Sequence, residues 1–300
     1  MNCCLAGHRR GMTLLDLVVS MGICLALCTI GLAGVAGSRE SANRTKCADN
    51  LRLIGLVSLM YCNGEKTGGF PRTYYNRANP KVIVDSTGFG KPNSFDPKTT
   101  GDNNIPASLY LVFKSKVVDP PKPEIFICPS TSGVPGFGKD SKVGLQDSSN
   151  WEAIPRNLTY SYSCPFATDK AVSSGWRFDN TLGDDVPLAA DLNPGGDALL
   201  KITPAATQEQ LKAGNSRNHN GDGQNVVYCD GHVEFQTTPF CGAKPLPGER
   251  ISRDNIYTYG GPNDVKGGVG VIGMPVNRAD NVLLPAGDAT VAAPGAGSGK

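Results

Sequence analysis

The sequence holds no Cys-x-x-Cys pair, so neither a zinc ribbon nor a thioredoxin-type redox centre is expected. A Gly-x-Ser-x-Gly elbow is also missing, and Gly260, Gly261, Gly267, Gly268 and Gly270 open no helix behind a strand. Those two absences remove the serine-hydrolase elbow and the dinucleotide fingerprint. Charge is scarce as well. Asp, Glu, Lys and Arg make up 19% of the chain and the formal net charge is +2, which offers no broad basic surface to a nucleic acid. No repeat of solenoid length runs through it.

What the chain has instead is glycine, proline and cysteine. Gly 37 and Pro 22 in 300 residues point to many turns and short strands rather than long charged helices. The 39% hydrophobic fraction is enough for the core of one large domain or two modest ones. Of ten cysteines, Cys3 and Cys4 open the chain, Cys24 and Cys28 lie in an apolar run, and Cys47, Cys62, Cys128, Cys164, Cys229 and Cys241 follow. An even set of six in an exported segment is compatible with disulfides, in about fifteen pairings. Cys47 and Cys62 are not one of them if both lie on one helix. They would stand roughly 22 Å apart, beyond the ~7 Å Cα limit of a bridge.

Behind His8, Arg9 and Arg10 the chain runs from Met12 to Ala36 with Asp16 as its one charge. Such a run exceeds the ~20 apolar residues a helix needs to cross a bilayer, and the arginines place its start in the cytoplasm. The expectation is therefore a single-pass inner-membrane protein with its head in the periplasm or at the cell surface. A plain anchor, a twin-arginine signal on Arg9 and Arg10, or a cleaved secretory signal ending near Val35, Ala36 and Gly37 are the other readings of the same residues. An ionised Asp16 inside lipid would cost about 2.5 to 3.5 kcal/mol without a partner. Further along, Leu53, Leu56, Val57 and Met60 fall at helical spacing, a stripe that could dock a head, and Asn63, Gly64, Gly68, Gly69 and Pro71 end the helix.

In the remainder, strands are expected at 81–85, 124–128, 159–164 and 187–191, and a short helix at 108–114 behind Pro106. The strongest local signal is 225–235, read as a β-hairpin with Asp230-Gly231 as a two-residue type I′ turn. Upstream stand Ser216, Arg217, Asn218, His219, Asn220, Gly221, Asp222 and Gly223.

Two of these segments carry a resemblance. Gly11, Met12, Thr13, Leu14, Leu15 and Asp16 resemble the class III signal of type IV pilins and type II secretion pseudopilins. His219 followed by Asp230-Gly231 resembles the prepilin-processing-associated domain found behind such leaders. Ten residues stand between His219 and Asp230, one more than the family spacing; Met12 replaces the usual Phe, and Asp16 the usual Glu.

The resemblance implies cleavage after Gly11 by a prepilin peptidase and N-methyltransferase. Met12 would become a methylated N-terminus whose ammonium pairs with Asp16 of a neighbouring subunit. It implies an α+β fold, with a long N-terminal pilin-like helix, transmembrane in one half and head-packing in the other, on an antiparallel β-sheet with a loop-rich head. The expected divisions are a leader at 1–11, a helix at 12–62 that is transmembrane over about 12–36, a head at 63–284 with its motif at 216–236, and a disordered tail at 285–300.

The implied function is structural and non-catalytic: a pilin-like or pseudopilin subunit assembled through its helix. Its partners would be the peptidase, other pilin-like subunits and the inner membrane, and not nucleic acid. The alternative is an anchored surface-binding protein that does not polymerise. No cofactor is expected, since no EF-hand or zincin spacing occurs. Two metal sets are candidates: His219, Asp222, Asp230 and His232, whose imidazoles and carboxylates are competent ligands, and, as the resemblance implies, calcium on oxygen ligands from Asp191, Asn193, Asn220 or Asp222.

Overall fold

The computed structural model describes residues 13–116, 119–137, 141–244, 252–260 and 270–287, and over 25–36 the backbone alone. Gly11, Met12 and the tail from residue 288 lie outside the described residues. The chain divides into two units, Met1–Ala42 and Asn43–Lys300.

Helix α1 spans Leu14–Gly64. In the first unit Thr13 and Asp16 cap its start reciprocally. The Asp16 carboxylate accepts from Thr13 N (3.0 Å) and Thr13 Oγ1 (2.8 Å), while Asp16 N donates to Thr13 Oγ1 at 3.2 Å. This is a capping box built with Asp.

The expected architecture is not what organises the molecule. Described with their side chains, the stretches of α1 are a short one at 14–24 and a longer one at 37–64 that is not apolar, because Arg39, Glu40, Arg44, Lys46, Asp49 and Arg52 interrupt it. Among the described residues no helix is long and apolar enough to cross a membrane. The pilin-like helix with a lipid-spanning half, and with it the single-pass inner-membrane placement, is therefore not supported; the molecule is organised by a five-stranded antiparallel sheet with short helices and the non-apolar 37–64 stretch of α1.

That sheet has the order β4-β3-β2-β1-β5, from β1 (Tyr160–Ser163), β2 (Pro187–Asp191), β3 (Gln224–Tyr228), β4 (Val233–Gln236) and β5 (Leu283–Leu284). The central register pairs Tyr160 with Asp191, and Ala190 with Val226. Strand residues alternate between faces. Tyr160, Tyr162, Ala189 and Val227 join one core cluster with Cys47, Leu51, Ile54 and Val57 of α1. Ala190, Val226 and Tyr228 face the opposite way, into a second cluster with Ile256, Tyr257 and Leu283.

The docking face of α1 differs from the expected stripe. Leu53, Leu56 and Met60 are exposed (44%, 50% and 41%), whereas Cys47, Leu51, Ile54, Ser58, Tyr61 and Cys62 are buried and only Val57 of the expected four joins them. Gly55 decides the rotation. A Cβ there would come to 2.7 Å of Val227 Cγ2, so the helix lies against the sheet where it has no side chain.

Three local expectations also change. Residues 124–128 do not form a strand; Pro123–Phe126 is a 3₁₀ turn, because Pro123 supplies no N–H for a ladder and fits the first helical position. Residues 81–85 contribute a single bridge, Ile83 to Asn104, while the Asn103 amide takes the carbonyls of Asn79 and Lys81. The hairpin is present, but its connection is Cys229, Asp230 and Gly231, not a two-residue turn. Gly231 N donates to Tyr228 O (2.9 Å) and Tyr228 N to His232 O (3.0 Å), with Gly231 at φ +91°. That is a three-residue loop whose glycine takes the left-handed position. The helix expected at 108–114 begins earlier, at Ile105–Tyr110, capped by Asn104 and followed by a 3₁₀ turn over Leu111–Phe113.

Candidate functional site

His219 ends a 3₁₀ turn, Arg217–His219, just before β3. The turn is fixed at both ends: Ser216 Oγ accepts from Asn218 N (3.3 Å) and donates to Leu192 O (2.7 Å), and Asn220 closes it at φ +59°. This geometry aims the imidazole at the last residue of β2, Asp191. His219 Nε2 lies 3.3 Å from Asp191 Oδ2, with both side chains fully buried.

Two cysteines complete the group. Cys47, from α1, donates from Sγ to Asp191 Oδ1 at 3.1 Å. Cys128 Sγ lies 3.8 Å from His219 Nε2. Cys128 is placed by the turn before it, which Phe126 anchors against Phe113 and Trp151 (ring centroids 5.1 and 5.5 Å), and by its own N–H, which donates to Thr159 Oγ1 at 2.6 Å. All four residues have zero exposure, and their ligating atoms lie within 4.8 Å of one another. Around them, Asn218 Nδ2 and Asn225 N each donate to Asp191 at 2.8 Å.

The electrostatics are those of mutually dependent groups. Burial pushes the Cys47 thiol well up. A hydrogen bond with Cys47, helped by His219, outweighs burial at Cys128 and brings it down to about 7. Burial opposes the His219 imidazolium, but hydrogen bonds with Asp191 and Cys128 overcome this and raise it to about 10.

No family model, curated protein or solved structure matches this chain. Its site must be read from its own geometry. A thiol, an imidazole and a carboxylate together suggest a nucleophilic triad, but a triad needs the base oriented through one ring nitrogen while the other meets the nucleophile. Here Cys128 and Asp191 both approach the same atom, Nε2, and no member is open to a substrate. Four buried side chains whose ligating atoms lie this close together could hold a metal ion.

The residues singled out in the sequence are distributed over several places. His219 and Asp191 meet. Asp222 is elsewhere, paired with Arg44 at 2.5 Å, and Arg44 lies 4.7 Å over the Phe235 ring. Asp230 and His232 pair with each other on the hairpin loop, with His232 Nδ1 at 2.6 Å and His232 N at 3.0 Å from Asp230 Oδ1. His232 also stacks on Tyr228, with centroids 4.5 Å apart and planes 5° from parallel. Asn193 holds loop backbone, donating to Tyr257 O and Leu283 O, and Asn220 serves as the helical cap. The oxygen-rich calcium set is thus not assembled.

Cys47 and Cys128 do not stand out as site residues in the sequence, where an even set of cysteines is equally compatible with disulfides. Cys47, Cys62, Cys128, Cys164, Cys229 and Cys241 are all free thiols, so no disulfide forms among the described residues. The usable signal was chemical, since two cysteines, a histidine and an aspartate were all present. Their separation in sequence hid it.

Proposed function

We propose that this chain is a non-catalytic structural subunit of the pilin-like class, cleaved after Gly11 by a prepilin peptidase and methylated there, and associating with copies of itself or related subunits through α1. One observation supports association above the others. Leu53, Leu56 and Met60, at helical spacing on the side of α1 away from the sheet, stand 41–50% exposed. In the first unit Leu14, Leu15, Leu17, Val18, Val19, Met21 and Ile23 are likewise exposed, Leu14 to 82%. Apolar side chains at helical spacing that the folded chain does not cover favour packing against a second helix. The Thr13–Asp16 capping box gives Asp16 a second task, fixing the start of the helix immediately behind the cleavage point.

Crosslinking between cysteines placed at Leu56 tests the association. A ladder of oligomers agrees with the proposal. A monomer under the same conditions, with wild-type folding retained, argues for a surface-binding protein that does not polymerise.

A further inference from the structure

Neither processing nor association requires a fully buried Cys, Cys, Asp and His at one point. Burying such groups is costly unless they are paired or hold a metal, and the chain brings them there from four separate segments: α1, the loop after Phe126, the end of β2 and the turn before β3. We propose that Cys47, Cys128, Asp191 and His219 are the four ligands of a single structural zinc ion.

Geometry carries the inference. Tetrahedral zinc with Zn–S of ~2.3 Å and Zn–N or Zn–O of ~2.0–2.2 Å puts neighbouring ligand atoms about 3.4–3.8 Å apart. Three of the six separations are 3.1 Å (Cys47 Sγ to Asp191 Oδ1), 3.3 Å (His219 Nε2 to the other Asp191 oxygen, Oδ2) and 3.8 Å (Cys128 Sγ to His219 Nε2), and with one ligand atom from each residue all lie within 4.8 Å. Small shifts of side chains already aimed inward would close the site. Two thiolates with an imidazole select zinc over calcium or magnesium, which take oxygen. Four protein ligands without exposure leave no open position, so the ion would be structural and not catalytic.

A second layer is present too. Asn218 Nδ2 and Asn225 N orient the Asp191 carboxylate, as outer partners of metal-bound carboxylates do. The competing account is a metal-free network in which Cys47 donates to Asp191 and Asp191 pairs with His219. The same contacts serve both, so composition decides between them.

The test uses the full chain, purified under reducing conditions from zinc-supplemented culture. Native mass spectrometry and elemental analysis should find about one zinc per chain. Exchange for cobalt should produce a thiolate-to-cobalt charge-transfer band. Stripping with a chelator should lower the thermal midpoint by roughly 5–10 °C, with recovery on adding zinc alone. Cys128→Ser and His219→Asn should lose the ion, while Cys241→Ser, a buried thiol outside the cluster, should keep it. Asn218→Ala should weaken zinc binding by ~10–100-fold. If the ligand variants do not fold, the cobalt spectrum of the unaltered chain decides. Failure of the reduced wild-type chain to take up zinc or cobalt overturns the proposal, as does full zinc content in Cys128→Ser or a Cys47–Cys128 disulfide in the chain from its native source. None of these outcomes bears on cleavage after Gly11, so the two proposals fail separately.

Discussion

His219 and Asp230 stand in one sequence motif yet do unrelated work. His219 is a core residue against Asp191; Asp230 shapes an exposed turn with His232. Asp191→Asn should therefore be costly. The Asp191 carboxylate accepts from Cys47 Sγ, Asn218 Nδ2 and Asn225 N in the core, and leaving such a buried donor unsatisfied costs about 1–3 kcal/mol, readable as a lower urea midpoint. Asp230 acts by pH. Burial alone would raise its carboxyl, but hydrogen bonds from the His232 backbone and ring hold it below the ordinary carboxylate value. A depressed folded value means the stabilisation is present above the unfolded pKa of ~3.9 and is lost as pH falls through the lower folded one. The stability difference between wild type and Asp230→Asn that comes from this carboxyl should thus begin to shrink only below about pH 4 and vanish once pH falls beneath the lower folded value. It should be small, because side-chain exposure of 41% at Asp230 and 35% at His232 leaves the pair screened by solvent. A difference that persists into acid would contradict this assignment.

Among the elements, α1 and the β3–β4 hairpin show what sequence pattern can and cannot convey. Val226, Val227 and Tyr228 before Asp-Gly announce a hairpin, because β-branched and aromatic residues flank a turn dipeptide. The loop length depends on Gly231 alone taking positive φ, which the dipeptide does not specify. For α1, helical spacing is legible in both apolar stripes, but which one docks is set by the missing side chain at Gly55 above Val227. Gly55→Leu should consequently destabilise the fold by about 1–3 kcal/mol through overpacking, measured by denaturant unfolding. Replacing Leu53, Leu56 and Met60 together with Ser should leave that stability within about 0.5 kcal/mol per site, while lowering oligomer yield on crosslinking. The reverse pattern would mean the exposed stripe is structural. The strand expected at 124–128, bounded by Pro129, does not form because Pro123 at its start opens a 3₁₀ turn.

For the whole molecule, the proposed cleavage point, the exposed apolar stripe of α1 and the proposed metal site rest on different residues, although Cys47 and the stripe share one helix. The β3–β4 hairpin around Asp230-Gly231 is legible in the sequence because its turn dipeptide and flanking strand residues are local. The four-residue cluster is not, since Cys47 and Asp191 meet across 144 positions and Cys128 and His219 across 91, contacts that only the packing of α1 and the turns on the sheet creates. Gly11→Ala should block or strongly slow cleavage without altering the head, checked by the mobility of the chain beside wild type. The most direct measurement is the mass of the N-terminal peptide of the chain isolated from its native source. A peptide beginning at methylated Met12 is the predicted result. A peptide still carrying residues 1–11 would contradict the account.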